Sequence, residues 1–333
     1  MDPKLSIVIP FYQKKKGILI KAVDSALGQS GVNNVEILVV DDSSPISAKS
    51  ELAHLPHEFA AKIKILEQPN AGPAAARNKA LDNVSSGSEY VAFLDSDDEW
   101  IAEHLSNALT ALDQGQDFYF ADHYQLDQTI SAFKRARRIT PDDHPLIAGS
   151  KNLYAYDGDM FDQILRGNII GTSTVVYRYR KFPTLRFREE FVYAGEDYLF
   201  WLELSLLTNR IAFSSFCECT YGKGVNIFAG SGWGTEKSLI RNHYEIKFQK
   251  ALPRLFHLNG RQLANNRDAI SNLRRSFVAD LLHRLVHRKP IDQATLIEQL
   301  KVDPKSFIYF LPIVASLKLQ RGIRMNVDDS KRE

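Results

Sequence analysis

Four short apolar runs, each closed by polar residues, punctuate the first hundred positions of the chain. Leu5-Ser-Ile-Val-Ile-Pro, Val35-Glu-Ile-Leu-Val-Val-Asp-Asp, Ile63 to Glu67 and Tyr90 to Leu94 are short and mostly β-branched or aromatic, which predicts strands. Between them, Ile18 to Leu27 carries apolar residues at helical spacing, and Gly72 to Leu81 reads as an Ala-rich helix. Strands alternating with helices imply an α/β fold with a mostly parallel central sheet covered on both faces. In such sheets ligands bind outside the carboxyl ends of the strands.

Further along, the pattern predicts a helix over about 101–114 and strands at Phe118 to Ala121, Thr172 to Tyr177 and Ile211 to Phe216. Asp197 to Leu207 has the apolar density of a buried helix. Residues 123–165 read as irregular and charged, with the basic cluster Lys134-Arg-Ala-Arg-Arg138, either a flap over a site or a solvated loop. Over 222–234, Gly222, Gly224, Gly230, Gly232 and Gly234 alternate with Asn226, Phe228 and Trp233, the texture of an ordered loop near a ligand. From Ser238 the chain reads as helical, with a polar end over 326–333. Within it, Asn272 to Lys289 places Leu273, Phe277, Leu281, Leu282 and Leu285 on one face beside Arg274, Arg275, Arg284, Arg288 and Lys289, with Asp280 the lone acid. Such a basic amphipathic helix lies on an anionic membrane surface or packs on the main domain with a solvated edge. The expected organisation is a catalytic domain over 1–215, a Gly/Trp-rich loop over 216–237 and a helical extension over 238–333.

Composition narrows the classes. The chain has 333 residues, 44% hydrophobic and 25% charged, with a formal net charge of +2, so no global charge signal points to nucleic acid. Its two cysteines, Cys217 and Cys219, exclude a four-cysteine zinc site or a disulfide framework and fit a reducing compartment. No signal-like segment and no apolar stretch of membrane-spanning length is legible, since Phe307 to Leu319 is short and broken by Pro312. The expected location is cytoplasmic, with peripheral contact on the inner face of the plasma membrane.

The strand ends carry the chemistry. Pro10 and Tyr12 follow the first strand, Asp41 and Asp42 the second, and Asp95, Asp97 and Asp98 the fourth. Crowded carboxylates repel one another unless a cation sits among them. A divalent ion with oxygen ligands suits them, and Mg2+ of that kind also holds a substrate phosphate. Lys14-Lys15-Lys16 is the only basic run near the first strand, and no Gly-x-Gly-x-x-Gly opens a helix there, which excludes a Rossmann-type oxidoreductase.

Five blocks then occur in order: Ser6-Ile-Val-Ile-Pro-Phe-Tyr, Glu36-Ile-Leu-Val-Val-Asp-Asp-Ser-Ser, Asn70-Ala-Gly-Pro-Ala-Ala-Ala-Arg-Asn, Phe93-Leu-Asp-Ser-Asp-Asp and Gly195-Glu-Asp. Together they resemble the family 2 glycosyltransferases of the GT-A fold over about the first 215 residues. The opening of the chain and the block after Tyr221 are similar, more narrowly, to bacterial exopolysaccharide glucosyltransferases of the succinoglycan type. The resemblance implies an inverting enzyme that uses a UDP-sugar, a divalent metal (Mg2+ or Mn2+) and an oligosaccharide or lipid-linked saccharide acceptor. Carried over, Pro10 and Tyr12 would frame the uracil and Asp42 would accept from its N3. Arg77 and Ser96 would contact the nucleotide, Asp95 the ribose, and Asp97 the metal. Asp197 would be the base, with Glu196 beside it. Many relatives carry a Tyr-Arg-x-His-like stretch after the base helix. Here the place reads Tyr221-Gly222-Lys223-Gly224, so Lys223 becomes the candidate for the diphosphate and Trp233 for stacking on an acceptor sugar, with His243 a distant structural alternative.

Other classes stay in view: a non-catalytic carbohydrate-binding relative of the same fold, and a sugar nucleotidyltransferase that shares the sheet and the metal. A pure binder has no use for a base at Asp197. A nucleotidyltransferase would want a triphosphate-holding basic loop, a place that Lys14 to Lys16 could mimic.

Overall fold

The computed structural model describes residues 4–125, 128–225, 233–235 and 237–315. The glycine-rich stretch over 226–232, with Asn226, Phe228, Gly230 and Gly232, and the polar end over 326–333 therefore lie outside the described residues. The chain divides into two units, one of Met1–Val192 with Glu196–Asn226 and one of Tyr193–Gly195 with Ile227–Glu333.

Among the described residues, the first unit is built on one sheet of nine strands. These are β1 (Leu5–Phe11), β2 (Val35–Asp41), β3 (Ile63–Glu67), β4 (Tyr90–Phe93), β5 (Glu99–Trp100), β6 (Phe118–Tyr124), β7 (Leu153–Ala155), β8 (Val176–Tyr177) and β9 (Ile211–Thr220). Their order is β3-β2-β1-β4-β8-β6-β9-β5, with β7 paired to β9. The half from β3 to β4 is parallel, as the strand-helix alternation predicts. Beyond β4 the sheet is mixed: β8 runs antiparallel to both β4 and β6, β6 and β9 are parallel, and β5 and β7 run antiparallel to β9.

Every residue of β1 is buried, and its two faces meet different partners. Leu5, Ile7, Ile9 and Phe11 join a core with Leu19, Val23, Ile37, Val39 and Ala92. On β4, Phe93 packs with Tyr177, Phe187, Phe200 and Trp201 at ring separations of 5.2–5.9 Å. A strand buried on both faces cannot shift register by one residue without placing its neighbours wrongly. The strand ends, and the polar residues that follow them, are held in consequence.

Several stretches differ from expectation. Residues 123–165 are not structureless: they contain the helices Ala132–Ala136 and Met160–Leu165, a 3-10 turn at Pro141–Asp143 and β7. The basic cluster there is partly taken up internally, Arg135 donating to Gln125 Oε1 at 2.6 Å and Arg138 to the carbonyls of Gln163 and Gly167 at 3.1 and 2.6 Å. The Thr172 to Tyr177 run is a 3-10 turn, Thr172–Thr174, followed by the two-residue β8. Hydroxyl side chains there find other partners than a ladder, which is why β-branching misled the reading. Strand β9 continues to Thr220, past the 215/216 boundary.

The second unit contains the helices Ser238–Leu255, Gly260–Val286, Gln293–Val302 and Lys305–Ile308. Leu239, Ile246, Phe277 and Leu281 form its core, with Leu273, Leu296, Phe307 and Phe310 packed against it. The basic helix departs from the stripe read in the sequence. Arg284 is buried against Asp280 at 2.9 Å, Arg274 is paired with Asp303 at 2.6 Å, and Leu285 is 55% exposed rather than on the buried face. Among the described residues, no helix is long and apolar enough to cross a membrane.

Candidate active site

The carboxyl ends of β1, β2 and β4 lie side by side, because β1 is the parallel neighbour of both others. Asp41 and Asp42 end β2 with different duties. Asp41 accepts from the backbone N–H of Ser44 and Ala48, both at 2.8 Å, and so builds the turn. Asp42 is buried and accepts from Gln68 Nε2 at 2.7 Å and from the N–H groups of Ala71 and Gly72 at 2.8 and 2.9 Å. Those bonds draw the start of the helix Pro73–Leu81 to the strand end. Gly72 takes φ +89°, a left-handed conformation that favours glycine. A carboxylate offers about four acceptor positions, so Asp42 keeps roughly one for a ligand.

That helix carries Arg77, which is buried over the Phe187 ring with its guanidinium carbon 5.2 Å from the centroid. Arg77 Nη2 donates to Asp95 Oδ1 at 2.6 Å, and Nη1 lies 3.6 Å from Glu196 Oε1. Its Nε and Nη1 are buried with no hydrogen-bond partner. One cation thus links the carboxylate after β4 to the carboxylate that starts the helix Glu196–Leu207, over a hundred positions away. The sequence reading assigned Arg77 to the nucleotide; in the structure its resolved contacts are these acids. Asn78, next to it, exchanges bonds with Phe187, donating to its carbonyl at 2.9 Å and accepting from its N–H at 2.8 Å. This holds the Phe187 ring beneath Arg77.

The loop after β4 is pinned from two sides. Ser173 Oγ accepts from the Asp95 N–H at 2.9 Å and donates to Asp98 Oδ2 at 2.5 Å. The Gly222 N–H donates to Asp98 Oδ1 at 3.0 Å, and the Gly224 N–H to Asp97 Oδ2 at 2.8 Å. Both glycines are required by close approach, since a Cβ at Gly222 would lie 1.5 Å from the Asp97 carbonyl oxygen and one at Gly224 would lie 2.6 Å from Asp97 Oδ2. Lys223, exposed, projects from between them. Gln13, just after β1, donates to Ser96 Oγ at 3.2 Å and accepts from the Val225 N–H at 3.1 Å, tying three segments together. Trp100 is buried against His104, and its Nε1 donates to the Ser173 carbonyl.

Five carboxylates therefore gather about one arginine. Burial, with the neighbouring Asp95 charge, pushes Asp97 above its ordinary value. Burial and the charges of Asp95 and Asp97 push Asp98 well above it. Glu196 is raised to about 8 by burial and by Asp197 beside it. Asp197 is raised chiefly by burial, against the opposing pull of Arg77; its Oδ2 accepts from Thr172 Oγ1 at 3.3 Å and its Oδ1 from the Tyr198 N–H at 2.7 Å. Both acids sit in the first turn of their helix, where the dipole favours negative charge.

A cation among Asp95, Asp97 and Asp98 would relieve this surplus, so the donor set fits a hard divalent metal. Among the described residues, however, no three His, Cys, Asp or Glu side chains form a ready cage. An ion held here by one or two carboxylates would need substrate phosphates and water to complete its shell.

The remaining sequence candidates separate clearly. Pro10 and Tyr12 lie at the β1 end, with Pro10 buried in the strand and Tyr12 half-buried. Trp233 belongs to the second unit and is 61% exposed, with its ring 4.8 Å from His283. His243 is buried in that unit and bonded to Gln299 at 2.7 Å, a structural role. Sequence reasoning missed Gln13, Thr172 and Ser173 as site components and left Asp98 without a role. The only available signal was the third acid of the Asp95–Asp98 cluster.

Comparison with known proteins fits this geometry. The family model described as "Glycosyl transferase family 2" matches residues 6–179, just over half of the chain. The succinoglycan biosynthesis protein ExoW of Rhizobium meliloti (strain 1021) is 34% identical over 233 residues, 68% of this chain and 70% of that protein. Several further relatives are longer, and the chain matches between 18% and 30% of their length. Among solved structures, S. aureus TarS 1-349 in complex with UDP-GlcNAc superposes with TM-score 0.56 at 17% identity, covering 93% of this chain and 82% of that one. The mannosyltransferase PcManGT from Pyrobaculum calidifontis, in complex with GDP-Man and Mn2+, gives 0.51 at 14% identity, covering 96% and 85%. With the sheet, the ordered motifs and these matches in agreement, the chain belongs to glycosyl transferase family 2 and is a glycosyltransferase of the GT-A fold.

Proposed function

We propose that the protein is a metal-dependent inverting transferase that moves a sugar, glucose in our reading, from a UDP-sugar to a saccharide acceptor in polysaccharide biosynthesis. The observation that carries it is the Arg77 bridge, which joins the Asp95–Asp98 loop to Glu196 and Asp197 in one site. The succinoglycan role printed for ExoW supports a polysaccharide context. The UDP-GlcNAc complex of TarS and the Mn2+ of PcManGT support the donor class and the metal.

In this reading Pro10 and Tyr12 flank the uracil, and the free acceptor position of Asp42 takes the N3–H. Asp95 and Ser96 hold the ribose. Asp97 ligates the divalent ion, and Lys223 meets the diphosphate from the exposed turn between its two glycines. When bound, the ion acts as a Lewis acid on the leaving diphosphate. Asp197 takes the proton of the acceptor hydroxyl as its oxygen bonds to C1 and the C1–O bond to UDP breaks, the electron pair leaving with UDP. One carboxylate is enough for a single displacement with inversion. Glu196, paired with Arg77, keeps the neighbouring charge balanced. The acceptor is an oligosaccharide or lipid-linked saccharide, and the second unit is the proposed place of contact with the inner membrane face.

Calorimetric titration with UDP and Mn2+ tests the reading. Wild type binds UDP in a Mn2+-dependent manner, Asp97→Ala loses that dependence, and Asp197→Asn binds but does not transfer. Metal-independent UDP binding, or full transfer by the Asp197 variant, would contradict it.

A further inference from the structure

One short turn touches both halves of the reaction. In the 3-10 turn Thr172–Thr174, all three side chains are buried and all three hydroxyls are engaged. Thr172 Oγ1 donates to Asp197 Oδ2 at 3.3 Å. Ser173 Oγ joins the Asp95 N–H to Asp98 Oδ2, and the Ser173 carbonyl accepts from Trp100 Nε1. Thr174 Oγ1 closes the turn on the Gly171 carbonyl at 2.8 Å. The turn is itself immobilised. The Phe93 N–H donates to the Val175 carbonyl at 3.1 Å, and Gly171 lies so close to Tyr221 that a Cβ would stand 2.4 Å from the phenol oxygen. Through Asp98 the same turn reaches Gly222, and through Gly224 the loop returns to Asp97.

We propose that Thr172 and Ser173 are paired positioning residues, Ser173 setting the loop that carries Asp95, Asp97 and Asp98, and Thr172 setting the Asp197 carboxylate. Adjacent residues on one rigid turn then fix the spacing between the phosphate end of the donor and the base. Supporting residues of this kind typically alter metal affinity or activity by about 10- to 100-fold when removed. The inference rests on the glycosyl-transfer reading and predicts a division of labour that a purely structural turn would not produce.

Four variants test it: Ser173→Ala, Asp98→Asn, Thr172→Val and Thr174→Val. Calorimetry reads UDP affinity with Mn2+, and UDP release from UDP-glucose or UDP-N-acetylglucosamine, whichever the wild type turns over, reads kcat. Ser173→Ala weakens Mn2+-dependent UDP binding about tenfold or more. Asp98→Asn, which keeps the volume while altering the partner of Ser173, does the same and carries this arm if Ser173→Ala fails to fold. Thr172→Val leaves UDP binding intact and lowers kcat by about tenfold, the effect of losing a hydrogen bond to a charged group. Thr174→Val lowers the unfolding temperature without this split. Unchanged UDP affinity in both Ser173→Ala and Asp98→Asn overturns the inference, as does a Thr172→Val enzyme with wild-type kcat. Failure of the wild type to bind UDP with Mn2+ is a different result and removes the proposed UDP-sugar, metal-dependent reading on which the inference rests.

Discussion

Two buried acidic centres, a lone carboxylate in the helical unit and a group of five in the other, obey opposite logic. In the helical unit, Asp303 is fully buried and met by Lys250 at 2.9 Å, Arg274 at 2.6 Å and Ser306 at 2.8 Å. Burial opposes its ionisation, but those donors and the Arg274 charge outweigh it and hold its pKa down at about 2. In the catalytic unit, Arg77 stands against Asp95 and Glu196, with Asp97, Asp98 and Asp197 close by, and the resolved shifts of these acids are upward. Balanced charge builds stability, whereas an acid surplus is what a site keeps for a cation and a proton that arrive with substrate.

The comparison can be broken most directly at Asp197. Asp197→Asn removes the proposed base and lowers kcat by about 10²- to 10⁴-fold, while the unfolding temperature is unchanged or rises, because a buried like charge has gone. A large loss of stability there would erase the contrast. Asp303→Asn is the mirror experiment. It leaves Lys250 and Arg274 without their counter-charge, destabilises the protein by about 3 kcal/mol in chemical denaturation, and leaves UDP affinity as in wild type.

Acid sharpens the same point. The Asp303 carboxyl titrates at about 2 in the folded chain, below its ordinary value of 3.8. It therefore contributes about 2 kcal/mol that is fully present above pH 4 and is lost as pH falls through 2. In wild type, unfolding free energy falls over that window; in Asp303→Asn the fall is shallower. The acids facing Arg77 on the helix Glu196–Leu207 move the other way. Since Glu196 is raised to about 8 and Asp197 is raised as well, the pair is ionised only as pH climbs, so kcat/KM rises with pH along a limb well above the ordinary carboxylate range. Arg77→Gln removes the charge that lowers both and shifts the limb further up. A limb near pH 4 in the wild type would show that another group is the base.

The contrast was half legible in the linear chain. Strand ends were readable because residues buried on both faces leave a run of apolar side chains with an abrupt polar stop. Pro10, Tyr12, Asp42, Asp95 and Asp97 were placed at the strand ends on that ground. Asp303 offered no comparable mark: its partners Lys250 and Arg274 stand 53 and 29 residues away, and nothing local announces the pairing. The basic stripe over Asn272 to Lys289 misled partly for the same reason, because Arg274 is turned inward onto Asp303, whose approach depends on helix packing, while Arg284 pairs with Asp280 one turn earlier on its own helix.

By itself, the order of apolar runs and acidic stops determined the parallel half of the sheet and the edge where its polar strand ends gather, since these follow from periodicity and short-range spacing, while the family was legible only through the resemblance of five ordered motifs. The tertiary structure alone decided that Arg77 faces Asp95 and Glu196, that Gly222 and Gly224 close on Asp98 and Asp97, and that Thr172 and Ser173 serve both ends of the site. Hydrogen bonds and ion pairs reach only about 3 to 4 Å. Which groups come within that reach is set by how distant segments fold together.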